Sequence, residues 1–269
     1  MRGVKPSHWT VARPVTIEGL IAAMDEAGVA KAALVQAASC YSYDNSYLCD
    51  SLARYPGRYT GVGFVDVLRP DAVEKIRRLM RCGISGLRLF TATGTGGFDL
   101  SMLEDSRLLP IWDLCSEAGL SMALQADSSC MAQVAALARR FPEVKFILDH
   151  AGRPDVADGP PYKKASSLFG LAPIENIYLK LTSRIMVDSR LGKASPETLF
   201  PRMVDIFGSH RLAWGSNFPA SEGGYRENLE QAKACLSYVA ETDRDWIFGQ
   251  TALKLYPRLA EQDAADSIR

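Results

Sequence analysis

The fold class is most easily inferred from the segment Lys145-Phe-Ile-Leu-Asp-His-Ala-Gly-Arg-Pro154. Residues 145–148 form a short apolar run between a helical segment and turn residues, which predicts a buried strand. Asp149 and His150 stand where that strand ends. In barrels of alternating strands and helices, the C-terminal strand ends converge on one mouth, where the chemistry takes place. We therefore expect His150 to face a substrate, with a structural Asp-His pair that caps the strand as the alternative.

On both sides of this strand, apolar runs alternate with amphipathic helical segments along the whole chain. Such alternation predicts a parallel sheet with right-handed crossovers. A length of 269 residues suits one α/β domain over residues 1–269, a TIM-like (β/α)8 barrel. The run Gly94-Thr-Gly-Gly97 lacks dinucleotide-binding spacing and is better explained as a loop over the mouth. The other predicted strands are 31–36, 60–66, 86–90, 120–125, 177–181 and 211–214.

Seven predicted strands leave the barrel one short. The chain opens with residues typical of the loop and helix that follow a first strand, so we expect the first strand to be lacking, either truncated or lost through a start-site error. Residues 1–15 should be irregular. The predicted helices begin near Thr16 and end near Tyr256; they cover residues 16–28, 45–55, 70–81, 108–118, 130–141, 162–171, 196–207, 224–241 and 243–256.

Composition restricts the classes of function. Lysine plus arginine and aspartate plus glutamate number 31 each, so no basic field draws in nucleic acid or membranes. The six cysteines show no C-x-x-C spacing, which favours reduced thiols and a cytoplasmic location. The N-terminus does not have the apolar core of a signal peptide, and no run is long enough to span a bilayer. We expect a small-molecule substrate as partner. A homo-oligomer would suit an unclosed barrel edge, which another subunit can cover.

An ordered set of motifs resembles the amidohydrolase superfamily, in the branch that includes pyrone-dicarboxylate lactonase and sugar lactonases. The resemblance implies a barrel whose mouth hydrolyses lactones, amides or related bonds. Some members of the lactonase branch work without metal and use Arg and His to polarise the carbonyl. The matching runs are Leu34-Val-Gln36 with Ser39 and Asp44-Asn45, Gly86-Leu-Arg-Leu89, Asp149-His-Ala-Gly-Arg-Pro154, Tyr178-Leu-Lys-Leu181 and Trp214-Gly-Ser-Asn-Phe-Pro219.

The sequence departs from the superfamily's metal-binding pattern in three places. The H-x-H pair of the first strand is absent, the fifth strand ends in Gln125-Ala-Asp127 without His, and Asn217 stands where a catalytic Asp is expected. Of the implied metal ligands only His150 remains, and one imidazole with an amide does not hold zinc firmly. We therefore predict no tightly bound metal and no cofactor. A carboxamide is not a general base, so His150 would take that role, its tautomer set by Asp149.

Arginine and hydroxyl side chains complete the candidate site. Arg88 lies in an apolar strand, where it either pairs with a core carboxylate or, as we favour, points into the mouth to hold a carboxylate or oxyanion. Ser39 matches a substrate-contacting Ser of the lactonases, and Tyr41 with Tyr43 could supply phenol donors. Alternatively, Ser39 only forms hydrogen bonds with backbone groups of its loop, and the two tyrosines only cover the end of the barrel.

Arg153 and Arg184 follow strands and are candidates to bind an anionic substrate. Lys180 alternates with Leu179 and Leu181; the helix layer is its expected environment, with a Schiff-base lysine as the alternative. His210 precedes the last strand and should be structural.

These residues predict a hydrolase of a small carboxylated lactone in aromatic or sugar-acid catabolism. His150, Arg88 and Asn217 are the candidate catalytic residues, and Ser39, Tyr41, Arg153 and Arg184 the candidate substrate contacts. Two other classes stay open: a truncated, non-catalytic barrel that binds a ligand or partner, and a decarboxylase or other lyase acting on an aromatic acid.

Overall fold

The computed structural model describes residues 8–89 and 101–260, and their strands form one curved parallel sheet. Within those residues the sheet has seven strands, each paired with its neighbours in sequence. The architecture is therefore an α/β, TIM-like barrel. The strands are β1 Ala32–Val35, β2 Tyr59–Gly63, β3 Ile84–Leu89, β4 Ser121–Leu124, β5 Phe146–Leu148, β6 Ile177–Leu181 and β7 Leu212–Trp214.

Helices connect successive strands and pack against the outer face of the sheet. They are α1 His8–Ala12, α2 Ile17–Glu26, α3 Ala38–Tyr41, α4 Ser46–Arg54, α5 Ala72–Arg81, α6 Leu109–Ala118, α7 Met131–Arg140, α8 Ser166–Phe169, α9 Ser183–Asp188, α10 Pro196–Phe207, α11 Tyr225–Cys235, α12 Glu241–Asp245 and α13 Thr251–Leu255. A π-helical segment, Trp246–Gln250, joins α12 to α13. Short 3₁₀ turns lie at Ser101–Glu104, Ser106–Leu108, Ser128–Cys130, Asp149–Gly152, Lys163–Ala165, Ser209–Arg211 and Leu236–Tyr238.

Local sequence sets several of these boundaries. Thr16 caps α2, with its side-chain oxygen accepting a hydrogen bond from the Gly19 amide at 3.3 Å. Gly119 ends α6 in the left-handed conformation, at φ 64°, which glycine adopts without a steric cost. Pro196 begins α10, where its missing N–H has no helical partner to lose. All three boundaries agree with the predicted helices 16–28, 108–118 and 196–207.

Side chains alternate between the two faces of the strands, so the buried core divides into one inner cluster and two outer clusters. The larger outer cluster, between sheet and helices, includes Leu179 and Leu181 of β6. The smaller one includes Tyr59 of β2 and Ile84 of β3. The inner cluster fills the barrel and combines strand residues with the C-terminal end of the chain. Its buried members are Val62, Ala123, Ile147, Tyr178, Ala213, Leu255, Tyr256 and Leu259.

The segment from α13 to Leu259 closes the N-terminal end of the barrel. The ammonium of Lys31, just before β1, donates to the Leu259 carbonyl at 2.6 Å. That of Lys145, just before β5, donates to the Lys254 carbonyl at 3.2 Å. With this end closed, the C-terminal strand ends form the mouth.

The predicted order of strands is confirmed, and several boundaries are corrected. Residues 8–12 are helical rather than irregular, and α3 lies between the predicted strand 31–36 and the predicted helix 45–55. β2 ends at Gly63 rather than at residue 66, because the chain turns away where Asn45 binds the Phe64 backbone. The segment 162–171 is only a 3₁₀ turn followed by the four-residue α8. The predicted loop over the mouth, residues 91–99, lies outside the described residues.

The sheet is open between β1 and β7. Across the described ranges β1 pairs with β2 alone and β7 with β6 alone, so the two do not close the barrel on each other. Val35 on β1 is 36% exposed, whereas β2 is buried throughout. No helix in the described part is both long enough and apolar enough to cross a bilayer.

Candidate active site

A buried carboxylate at the end of β5 holds two cations from neighbouring strands. Asp149 is 1% exposed, and its Oδ2 lies 2.9 Å from the Nε of Arg88 on β3. Its Oδ1 forms an ion pair with the ammonium of Lys180 on β6. Arg88 reaches Asp149 across β4, where its register partner is Ala123, whose side chain is small. The three residues form a charged cluster inside the barrel.

Asp149 is ionised at neutral pH. Burial by itself raises the pKa of Asp149, but Lys180 and Arg88 outweigh burial and hold the pKa well below its ordinary value. Both of its oxygens are already held by cations. Asp149 is therefore not a general base and does not orient His150.

His150 leaves the strand in an unusual backbone conformation and turns to β6. Its φ is 57°, and the following Ala151 also has a positive φ of 54°. Its Nδ1 lies 2.8 Å from the Oγ1 of Thr182, the residue after β6. Thr182 is fully buried, so this hydrogen bond fixes the orientation of the ring. The expectation that Asp149 sets the His150 tautomer is wrong, because Nδ1 is bonded to Thr182.

The imidazole of His150 is uncharged at neutral pH. Burial lowers its pKa from 6.5 to about 4, and three cations add to the effect while Asp149 opposes it. Those cations are Lys180, Arg153 and Arg88. In the described part His150 therefore experiences three positive groups and one negative group, which makes its surroundings attractive to an anion.

Arg153 and Arg184 lie close enough to each other to interact. Burial lowers the pKa of Arg153, and the like charge of Arg184 adds to this. Arg184 is exposed and lies 3.7 Å from the Asp188 carboxylate, one helical turn along α9. Arg184 follows a strand, as predicted, and lies in the short helix α9.

Asn217 belongs to a chain of hydrogen-bonded polar groups near the end of β6. Its Nδ2 donates to the Ser221 hydroxyl at 2.9 Å, and Ser221 in turn pairs with Ser183, the residue after Thr182. Asn217 has a φ of 51°, a left-handed conformation that Asn and Asp tolerate better than other residues. The chain of hydrogen bonds thus links the end of β7 to the end of β6, where His150 is held.

Ser39 and Tyr41 follow a different strand from the residues of this cluster. Both are on α3, after β1, and Tyr41 is 44% exposed and stacks on Tyr47 at 5.6 Å. Among the described residues neither forms a hydrogen bond or ion pair with the cluster around His150. Tyr43 stacks on Phe64 at 4.7 Å, and burial, then Asp66, raises its pKa to about 12, so its phenol stays protonated.

The sequence missed two residues of the site. Lys180 points into the barrel and not to the helix layer, so that expectation is wrong; Leu179 and Leu181 occupy the helix side. Thr182, which holds the His150 ring, was not singled out. One signal in the sequence indicated the orientation of Lys180. Side chains alternate along a strand, so a lysine between two leucines that face the helices must face the inside of the barrel.

The residues present do not fit a divalent metal. Across residues 8–89 and 101–260 no three His, Cys, Asp or Glu side chains come together as a ligand group. Asp149 already holds two cations, and His150 has Nδ1 occupied by Thr182. A transition metal needs several ligands, and these residues do not supply them.

Comparisons with known proteins agree with one another. A family model described as Amidohydrolase matches residues 12–258. L-fucono-1,5-lactonase of Burkholderia ambifaria is 26% identical over 257 residues, covering 90% of this chain and 84% of that protein. The 4-sulfomuconolactone hydrolase of Rhizobium radiobacter is 23% identical over 210 residues, 76% of this chain and 66% of that protein.

A solved structure shares the fold. It is a probable 2-pyrone-4,6-dicarboxylic acid hydrolase of Acinetobacter baumannii with citric acid bound. That structure superimposes with a TM-score of 0.73 at 19% identity, covering 90% of this chain and 89% of that one. At this identity the likeness extends to the fold alone.

Proposed function

This chain belongs to the amidohydrolase family, and from that premise we propose that it hydrolyses a small carboxylated lactone in aromatic or sugar-acid catabolism. The observation that carries the proposal is the environment of His150. A neutral imidazole is held by Thr182 among Lys180, Arg153 and Arg88. Two relatives, at 26% and 23% identity, have names that describe lactone hydrolysis.

The geometry supports a mechanism in which His150 moves the proton. When Nδ1–H donates to Thr182, the Nε2 lone pair is left to accept a proton from water as the water attacks the lactone carbonyl. The ring C–O bond then breaks, and the imidazolium returns the proton to the leaving alkoxide. The product is the open hydroxy acid.

The cations supply the electrostatic part of the mechanism. The tetrahedral intermediate carries a negative oxygen, which Arg88 and its neighbours stabilise. Arg153 and Arg184 attract the carboxylate of the substrate, since guanidinium groups match carboxylates in geometry. Asn217 orients the attacking water through its amide, in place of a carboxylate that would deprotonate it.

Further parts of the proposal concern setting. We propose that hydrolysis is metal-independent, that the protein works in the cytoplasm, where its free cysteines stay reduced, and that a second copy can cover the open edge beside β1. Ser39 and Tyr41 would contact only a substrate large enough to extend to α3.

Screening the purified protein against carboxylated lactones and sugar-acid 1,5-lactones tests this function. The expected result is turnover that survives chelation and falls by about a hundredfold or more in His150→Ala, as removal of a general base does. Unchanged turnover in His150→Ala would refute the assignment. Ligand binding without turnover on every lactone would support a non-catalytic barrel, and release of carbon dioxide from an aromatic acid would support a lyase.

A further inference from the structure

Contacts along the stem and at the ammonium hold the side chain of Lys180 inside the barrel. Its stem lies against Gly215, where an added Cβ would come within 3.1 Å of its Cγ and Cδ atoms. Its side chain is only 24% exposed, and its ammonium ends on the Oδ1 of Asp149. A neighbour without a side chain and a buried anion together hold this lysine in one place.

The position of Lys180 determines how Asp149 can bind Arg88. A carboxylate readily accepts two parallel hydrogen bonds from one guanidinium, which uses both of its oxygens. Here Oδ1 is taken by Lys180, and the Nε of Arg88 approaches Oδ2 at 2.9 Å. The ammonium therefore competes with Arg88 for Oδ1, the second oxygen that two-oxygen binding would need.

We propose that Lys180 is a positioning residue, which keeps Arg88 on a single oxygen of Asp149 and so directs the guanidinium toward the mouth. This inference rests on the proposed function for its kinetic consequence, but its structural content does not depend on turnover. Without Lys180, Asp149 would bind Arg88 through both oxygens and draw it away from the substrate.

A double-mutant cycle on turnover tests the kinetic consequence. Lys180→Met keeps the length of the stem and removes the charge; we expect kcat on the hydrolysed lactone to fall by about tenfold or more, with KM changed by less than about threefold. In the Arg88→Lys background the same change should cost nothing further, because an ammonium does not bind two oxygens in parallel. Additive losses would overturn the proposal, and so would an unchanged kcat.

A matched control makes the same substitution at the other end of the barrel. Lys145→Met removes an ammonium that donates to the Lys254 carbonyl, far from the mouth, and should leave kcat and KM unchanged. Gly215→Ala is a second variant that keeps every charge. Its methyl group would press on the Lys180 stem and should lower kcat in the same direction as Lys180→Met, with the melting temperature recorded for each.

Nuclear magnetic resonance separates this inference from the proposed function. In protein labelled with ¹⁵N-arginine, the Nε–H signal of Arg88 is identified by its loss in Arg88→Lys. In Lys180→Met we expect that signal to shift, as a change from one-oxygen to two-oxygen binding requires. An unchanged spectrum would overturn the inference even where lactone hydrolysis is present. A changed spectrum would support it even where no lactone is turned over.

Discussion

The Nδ1 of His150 and the Oγ1 of Thr182 lie 2.8 Å apart, joining the end of β5 to the end of β6. Two adjacent strands thus carry one functional pair: β5 supplies the imidazole and β6 supplies the hydroxyl that orients it. Asp149, the residue next to His150, is occupied by cations and takes no part in this pairing.

Removing the Thr182 hydroxyl should reduce turnover without unfolding the protein. Thr182→Val keeps the shape of the side chain and deletes the hydrogen bond, so the ring loses its preferred tautomer and orientation. A lost hydrogen bond of about 1.4 kcal/mol corresponds to roughly a tenfold fall in kcat. Thr182→Ser, which retains the hydroxyl, is the control and should keep most activity. Equal activity in the two variants would contradict the role of this bond.

The pH profile of kcat/KM should have an unusually low acid limb. The pKa of His150 is lowered to about 4, and the neutral ring is the form that accepts a proton. Activity should therefore stay level from about pH 8 to pH 5 and fall only as the pH approaches 4. Initial rates at low substrate concentration measure this directly. An acid limb centred near 6.5, the ordinary value for histidine, would show that His150 is more exposed than the structure indicates.

The same lowered pKa makes the fold sensitive to mild acid. The unfolded chain takes up a proton on His150 near pH 6.5, while the folded protein resists until about pH 4, so stability falls as the pH drops between these values. From pH 7 to pH 5 this one residue should cost about 2 kcal/mol in the free energy of unfolding. Urea denaturation of wild type and of His150→Gln checks this. The variant has no titrating group at this position, so its free energy of unfolding should fall less over the same pH range.

Restoring a carboxylate at the end of β7 should increase hydrolysis. Asn217→Asp is compatible with the φ of 51°, and the Ser221 hydroxyl can donate to the new carboxylate. Because a general base typically contributes about 10²–10⁴-fold, we expect kcat to rise by about tenfold or more. Asn217→Ala, which provides neither amide nor base and strains the backbone, is the comparison and should lose activity. A fall in Asn217→Asp would mean that the amide itself is required.

The strand order followed from the sequence because each strand carries its own apolar run. β6 and α10 even begin and end where the pattern predicted, at Ile177–Leu181 and Pro196–Phe207. Boundaries failed where long-range hydrogen bonds decide them. The Asn45 side chain, for example, binds the backbone of Phe64 and ends β2 early.

The site was predicted only in part, and the reason is pairing between strands. That His150 and Arg88 face inward follows from strand position, but which carboxylate meets which cation depends on contacts 61 residues apart in the chain. The pattern suggested Asp149 as the partner of His150 because the two are adjacent. On a strand end adjacent residues point in different directions, so proximity in sequence predicted the wrong pair.

Three of the four residues from His150 to Arg153 are non-glycine residues held in the left-handed region, with φ of 57°, 54° and 49°. Each costs about 1 kcal/mol that the surrounding core must offset. In this short turn, substitutions that raise the stability of the fold should therefore lower the activity. Ala151→Gly would relieve strain, but it would also make the backbone next to His150 more flexible. Selection for thermal stability alone should favour substitutions in this turn, and those substitutions should lower the turnover.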